Sequence, residues 1–493
     1  MESMDIEITK FKLYQKEKGG ASRRLKFLTQ PPGAGAMYLV VGIALLLSSG
    51  APPPTVRTTF GTVVGHSLRN GADEFLAIPF AAPPVGDLRL APTMPWTAPY
   101  DSGRLDATMP GPWCAQFVFG TKTREMKGEE DCLTLNIWRP TAAAADEKLP
   151  TMLFIPGGAW DSGTALSGNG SALAAEHNCV VVSMQYRLGA LGWLALPSDA
   201  AAGKTTGNWA LLDQQEAMRW VRAQINAFGG DGESLTIFGE SSGGSAVMLH
   251  LIIPTSAGLF QRAIIQSGVP AASTQPYALS LSHDVTVNAS CVVGGAAQRA
   301  CLRTKSVHEL LIAQDNNDGM PALVGGGNAF TIRGWGPSND GVLLPDDPYV
   351  LLSQGKIAPD VAILAGHTTD ESNMFIYGFY YYPMEVLPTK NSIGFEALVN
   401  ITLFNYGVDF SAPLFLKVLR HYSPVAEKDN RDLASRYLSE RSFFCGTRMT
   451  LQAGLAARAK KKMKKKNAHT VFYYRWNQRY VSLRGTPPAL GNT

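Results

Sequence analysis

The chain has 493 residues, 45% of them hydrophobic, and a mean hydropathy of −0.02, the composition of a soluble globular protein with material for a large core. The formal net charge of +4 is small for this length, and much of the positive side sits in one run, Lys460 to Lys466, broken only by Met463. No aromatic residues interleave those lysines, so the run reads as a solvated loop and nucleic acid is excluded as a partner.

About three domains would be usual at this length. No Gly/Ser- or Pro-rich linker divides the middle of the chain, however, and one large α/β unit with long insertions fits better.

The N-terminus has two layers. Residues 1–36 are polar and carry Arg23, Arg24 and Lys26; the apolar run Met37–Leu47 follows, then Ser48-Ser49-Gly50-Ala51-Pro52. The run is shorter than the roughly 20 residues of a membrane span. It suits the core of a signal peptide with small residues for cleavage, with an uncleaved signal anchor as the alternative and Met37 as a possible start. Residues 1–51 are therefore read as an N-terminal extension plus signal peptide, and the protein as secreted.

Six cysteines agree with export. Cys114 is close enough to Cys132 to clip one loop, and Cys291 to Cys301 another. No Cys-x-x-Cys spacing points to a metal. Asn169, Asn288 and Asn400 each open an Asn-x-Ser/Thr sequon, the acceptor pattern of a glycoprotein.

Short apolar runs then alternate with helical patterns. Thr151–Ile155, Val180–Met184, Leu235–Phe238, Ala263–Ile265, Val361–Ala365 and Val471–Trp476 read as buried strands. Between the second and third, Leu211, Met218, Val221, Ile225 and Phe228 repeat at helical spacing. Asn208 is placed to cap this helix, and Gly229-Gly230 stops it. Strands separated by helices predict a parallel sheet covered on both faces, with the site at the carboxyl ends of the strands.

Two segments fall at that edge. Gly239-Glu240-Ser241-Ser242-Gly243 follows the strand Leu235–Phe238 and opens a helical stretch to Leu251. A serine on a sharp strand-to-helix turn presents its hydroxyl, and the next N–H, that of Ser242, lies at a helix N-terminus where it can donate to an oxyanion. Ser241 is the candidate nucleophile. Pro156-Gly157-Gly158-Ala159-Trp160 follows Ile155, and its small residues let backbone N–H groups approach a substrate oxygen.

From about Thr59 to the C-terminus the chain resembles the type-B carboxylesterase/cholinesterase family of α/β-hydrolases. The matching segments run in order. They are Ile78–Arg89 (IPFAAPPVGDLR), Glu130–Asn136 (EDCLTLN), Tyr186-Arg187-Leu188-Gly189, Gly207-Asn208 with Leu212-Asp213-Gln214, and Phe228-Gly229-Gly230-Asp231. The Ser241 pentapeptide, Cys301-Leu302-Arg303 and Asp340-Gly341 complete the set.

The resemblance implies an α/β fold of the α/β-hydrolase type: a large, mostly parallel central sheet with helices on both faces and long insertions, over residues 52–493. It implies a serine carboxylic ester hydrolase that works through an acyl-serine on a small-molecule carboxylic ester and needs no cofactor or metal. Ser241 is then the nucleophile and Glu371, after Gly366 and Asp370, the acid that orients the histidine. Gly158, Ala159 and Ser242 supply the oxyanion N–H groups. The resemblance also implies disulfides Cys114–Cys132 and Cys291–Cys301, and structural ion pairs Arg89–Glu130 and Arg187–Asp213.

Three positions depart from the family pattern. Pro156 replaces a usual His or Tyr, and Ala159 replaces a third Gly but keeps its N–H. The third departure is the histidine, expected in a loop after the strand Val471–Trp476; the sequence from Asn477 to Thr493 has none. Only His421 and His469 follow Glu371. His469 precedes the last strand, His421 sits in the helical pattern Leu414–Tyr422, and His367 lies near the right edge in the wrong chain order. The expectation is a chain cut short before its histidine, with a catalytically silent binding or adhesion protein and a non-functional fragment as the alternatives.

Overall fold

Nine strands form one sheet in the computed structural model, which describes residues 52–118, 125–144, 147–270, 272–291, 294–315, 334–373, 413–424, 430–460 and 471–476. In chain order they are β1 (His66–Ser67), β2 (Ala72–Pro79), β3 (Thr134–Pro140), β4 (Leu149–Ile155), β5 (Val180–Met184), β6 (Gly230–Glu240), β7 (Arg262–Gln266), β8 (Ala362–Thr368) and β9 (Val471–Trp476). Their order across the sheet is β9-β8-β7-β6-β4-β5-β3-β2-β1. From β5 through β9 every neighbouring pair is parallel, while β3, β2 and β1 complete the sheet antiparallel.

Cover differs from strand to strand: β9, expected to be buried, is an edge strand whose Phe472, Tyr473 and Trp476 are exposed, because it has a neighbour, β8, on one side only. All five residues of β5 are buried, as a strand with helices or loops over both faces requires. Strand β6 is longer than the apolar run Leu235–Phe238 suggests, because Gly230 pairs with Leu149 before a register shift to Leu235 opposite Thr151. Strand β8 begins one residue after Val361 and continues past Ala365 to Thr368, which carries it to the carboxyl edge.

Helix α1 (Ser171–His177) joins β4 to β5, α2 (Trp209–Gln224) leads from β5 to β6, and α3 (Ser242–Ile252) leads from β6 to β7. Helices α4 (Gln275–Asn288), α5 (Gly295–Thr304) and α6 (Val307–Asp315) belong to the long insertion between β7 and β8, and α7 (Pro413–Tyr422) comes later. Asn208 does occupy the N-cap position of α2, but its side chain does not cap the helix. It is fully buried, donates from Nδ2 to the Ser338 carbonyl at 2.8 Å and accepts the Ser338 N–H at 3.0 Å. A buried backbone pair that needs both partners has outcompeted the local cap.

Two disulfides and two buried ion pairs brace the loops around this sheet. Cys114 is bonded to Cys132, 18 residues away, and Cys291 to Cys301, 10 residues away. Arg89 ties the two clips together. Its Nε donates to Glu130 Oε1 at 2.7 Å and its Nη2 to Oε2, while Nη1 donates to the carbonyls of Leu302, Arg303 and Lys305. Arg187 grips Asp213 with Nε at 2.9 Å and Nη2 at 2.8 Å, and its own N–H donates to the same carboxylate at 3.0 Å.

Beneath α3 lies a buried polar chain. Gln215 Nε2 donates to Ser256 Oγ at 3.0 Å, Ser256 Oγ meets His250 Nδ1 at 2.8 Å, and His250 Nε2 meets Gln214 Oε1 at 2.9 Å. Gln214 Oε1 can only accept, so Nε2 carries the proton and Nδ1 accepts from Ser256. Burial, with a smaller contribution from the Arg219 guanidinium, holds His250 down from 6.5 to about 3. Between those values the unfolded chain binds a proton that the folded chain refuses. Stability is therefore flat above pH 6.5 from this group and falls as the pH drops toward 3. His250→Gln should flatten that part of the stability–pH curve, read by urea unfolding at a series of pH values; an unchanged slope would remove His250 from the account.

Candidate active site

The turn after β6 is held in a conformation that few residues adopt. Ser241 has φ 55° and ψ −125°, between the last strand residue, Glu240, and the first helical one, Ser242. Its N–H donates to the Gln266 carbonyl of β7 at 2.9 Å, and its carbonyl accepts the N–H of Ser245 at 2.9 Å. Ser245 Oγ in turn accepts the Val269 N–H at 2.9 Å. Strain of this kind persists only where neighbours over-determine it.

Glycine makes the turn possible. A Cβ on Gly239 would lie 2.5 Å from the backbone of Gly243, and one on Gly243 would lie 2.0 Å from the Ile155 carbonyl oxygen of β4. Gly243→Ala places a good helix former in a helix, yet it should open the elbow. The expected result is a loss of roughly 1–3 kcal/mol of stability from overpacking, together with loss of reactivity at Ser241. A thermal scan and an active-site label would read both, and a fully labelled, equally stable variant would contradict the geometry.

The loop after β4 lies against this turn. A Cβ on Gly157 would be 3.2 Å from the Cβ of Ser241. The backbone then takes positive φ at Gly158 (119°), Ala159 (55°) and Trp160 (68°). The carbonyl of Gly158 turns back to accept the N–H groups of Asp161 at 3.2 Å and Ser162 at 3.0 Å. The Trp160 carbonyl accepts from Trp193 Nε1 and from the Gly189 N–H, both at 3.0 Å. Among the described residues no acceptor takes the N–H of Gly158, of Ala159 or of Ser242. Pro156, which has no N–H to offer, uses its carbonyl to accept from the buried Tyr186 hydroxyl at 2.7 Å. Burial pushes that phenol above its ordinary pKa.

Glu371 stands just past the end of β8, two strands from β6 on the same edge. Its Oε1 accepts the Ser267 hydroxyl and the Thr368 N–H, each at 2.6 Å. Its other oxygen has no hydrogen-bond partner among the described residues. Asp370 is exposed. Glu240, beside the nucleophile, is raised above the usual carboxylate range by desolvation and then by the Glu371 carboxylate. Both acids thus lie at the carboxyl edge of the sheet, where each feels the other's charge, with Glu240 directly before Ser241 in the chain.

No described histidine is hydrogen-bonded to Ser241 or Glu371. His367 is buried at 2% exposure with both ring nitrogens occupied: Nδ1 pairs with the Thr368 carbonyl at 2.8 Å and Nε2 with the Tyr473 hydroxyl at 2.7 Å. Its ring stacks on Phe444 with centroids 3.9 Å apart. Desolvation lowers its pKa below the ordinary histidine value. His421 is exposed on α7, its ring edge-on to Tyr422. His469, the run 461–466 and the segment 477–493 lie outside the described residues.

Sequence reasoning missed Ser267, Glu240 and Tyr186 as partners in this site. Ser267 had a faint signal, a serine before glycine directly after a strand. Glu240 and Tyr186 stood out only as members of matching segments, because their roles come from groups on distant segments.

A strained serine between strand and helix, on a nine-stranded and mostly parallel sheet, is the arrangement of an α/β-hydrolase. The carboxylesterase family profile matches residues 52–492. Carboxylesterase 4A of Bos taurus is 35% identical over 405 residues, covering 78% of this chain and 72% of that protein. Neuroligin-3 of Mus musculus is 33% identical over 71% of this chain, but the match spans only 47% of its length. The solved structure of PNB esterase aligns with a TM-score of 0.68 at 28% identity, over 88% of this chain and 81% of that one. The chain belongs to the carboxylesterase family.

Proposed function

We propose that the protein hydrolyses small-molecule carboxylic esters through an acyl enzyme on Ser241. The observation that carries this reading is the elbow itself: a half-buried serine in a strained conformation, packed against a loop in which the N–H groups of Gly158 and Ala159 have no acceptor among the described residues. The Ser241 oxygen attacks the ester carbonyl, and the N–H groups of Gly158, Ala159 and Ser242 receive the negative charge on the carbonyl oxygen. The alcohol leaves, water attacks the acyl-serine, and the acid departs. Glu371 orients the imidazole that accepts the Ser241 proton, with its free oxygen as the acceptor. The order serine, acid, histidine puts that imidazole after Glu371 in the chain. Retention of the elbow, the donor loop and the acid weighs against a silent binding protein.

Export is the companion proposal. The two disulfides favour an oxidising compartment, and residues 1–51, with the apolar run Met37–Leu47, would serve as extension and signal peptide ahead of a hydrolase domain from 52 to 493. Those first residues lie outside the described ones. Among the described residues no helix is long and apolar enough to cross a membrane.

Fluorophosphonate labelling followed by peptide mapping tests the activity. Modification at Ser241 supports the proposal. A folded protein that stays unlabelled overturns it.

A further inference from the structure

Two sequons fall within the described residues, and the fold treats their asparagines differently. Asn169 lies between a 3₁₀ turn (Ala165–Gly168) and α1, beside the exposed Leu166 and Ser167. It is itself exposed, and its Oδ1 accepts the Ser171 N–H at 3.0 Å. Its Nδ2 has no partner among the described residues. Asn288 is also exposed, so exposure does not separate the two. The nitrogen does. Asn288 ends α4, and its Nδ2 is turned in to donate to the Ala313 carbonyl of α6 at 2.9 Å.

We propose that Asn169 is an N-glycan acceptor and that Asn288 is left bare. The inference rests on the export reading. In the transfer, Nδ2 of the asparagine bonds to the anomeric carbon of a sugar carried on a polyisoprenoid diphosphate. The bond from that carbon to the diphosphate breaks, the diphosphate leaves with the electron pair, and Nδ2 loses one proton. Transfer occurs on the exported chain before it is fully folded, so the fold decides whether the sugar has a place afterwards. On Asn169 the sugar extends into solvent and leaves the Oδ1 contact with Ser171 intact. On Asn288 it would have to enter the contact between α4 and α6, three residues before the Cys291–Cys301 clip.

The test is expression of the full chain in a eukaryotic secretory host. Secreted protein is then treated with peptide-N-glycosidase in heavy-oxygen water and mapped for labelled Asp at each position. Label at position 169 in most molecules, near absence at 288, and loss of the 169 glycan in Ser171→Ala are expected. Secreted, folded protein with Asn169 bare, or with Asn288 occupied as fully as Asn169, overturns the inference. If the native N-terminus does not direct export, the chain is placed behind a heterologous signal peptide. Occupancy at Asn169 then upholds this site while the export reading fails, and a bare Asn169 sinks the site itself.

Discussion

Replacing Ser241 with glycine should abolish ester hydrolysis and make the protein more stable. The activity loss follows from removing the attacking oxygen; with an intact triad, deletion of the serine nucleophile costs on the order of 10⁶ in turnover, leaving only what binding and the oxyanion donors supply. The stability gain follows from the backbone. At φ 55° and ψ −125° a residue with a Cβ carries strain of about 1–3 kcal/mol, which glycine does not feel. Glycine loses more chain entropy on folding, by roughly 0.5–1 kcal/mol, so the net expectation is a gain of about 1 kcal/mol. Ser241→Ala should lose the activity without the gain, because alanine keeps the Cβ. Hydrolysis of a chromogenic short-chain ester and thermal unfolding, run on both variants, separate the two effects. Undiminished hydrolysis in either would remove Ser241 from the mechanism.

The second large effect concerns a residue outside the site. Arg187→Met should cost about 3–5 kcal/mol of stability, because it leaves the Asp213 carboxylate, at 0% exposure, without its partner in the core. The position also carries function. Arg187 lies one residue after Tyr186, whose hydroxyl holds the Pro156 carbonyl at the start of the donor loop. Removing both charges with Arg187→Met and Asp213→Leu should recover part of the loss, since a buried pair adds less than the penalty of breaking it. The exposed pair Arg222–Glu233 is the internal control, and its removal should cost no more than about 1 kcal/mol. Equal costs at the two sites in urea unfolding would contradict this account of the buried pair.

Much of this molecule can be read from local sequence, and the rest follows a physical boundary. The apolar run Val180–Met184 marks a buried strand because burial there is written in its own residues, while Val471–Trp476 forms a strand but not a buried one. The serine elbow is legible for the same reason: Gly239 and Gly243 are demanded by contacts within a few residues and by one neighbouring strand. Residues that act through partners far along the chain are a different case. Asn208 has a good capping residue's identity at a helix start, yet its amide serves Ser338, 130 residues away. Ser267 meets Glu371 across 104 residues. His367 looks available in the sequence, but Tyr473 and the Thr368 carbonyl already hold both of its nitrogens.

By itself, then, the sequence determined the six parallel strands β4 to β9 but not the antiparallel β1 to β3, together with helices α2 and α3, the strained turn and the types of residue that could do acyl transfer, because these depend on periodicity and local backbone sterics. Only the tertiary structure decided which carboxylate oxygen stays free, which N–H groups remain unpaired and which sequon nitrogen faces solvent. Each of these is a question of hydrogen-bond supply and burial, settled when segments a hundred residues apart compete for the same donor or acceptor.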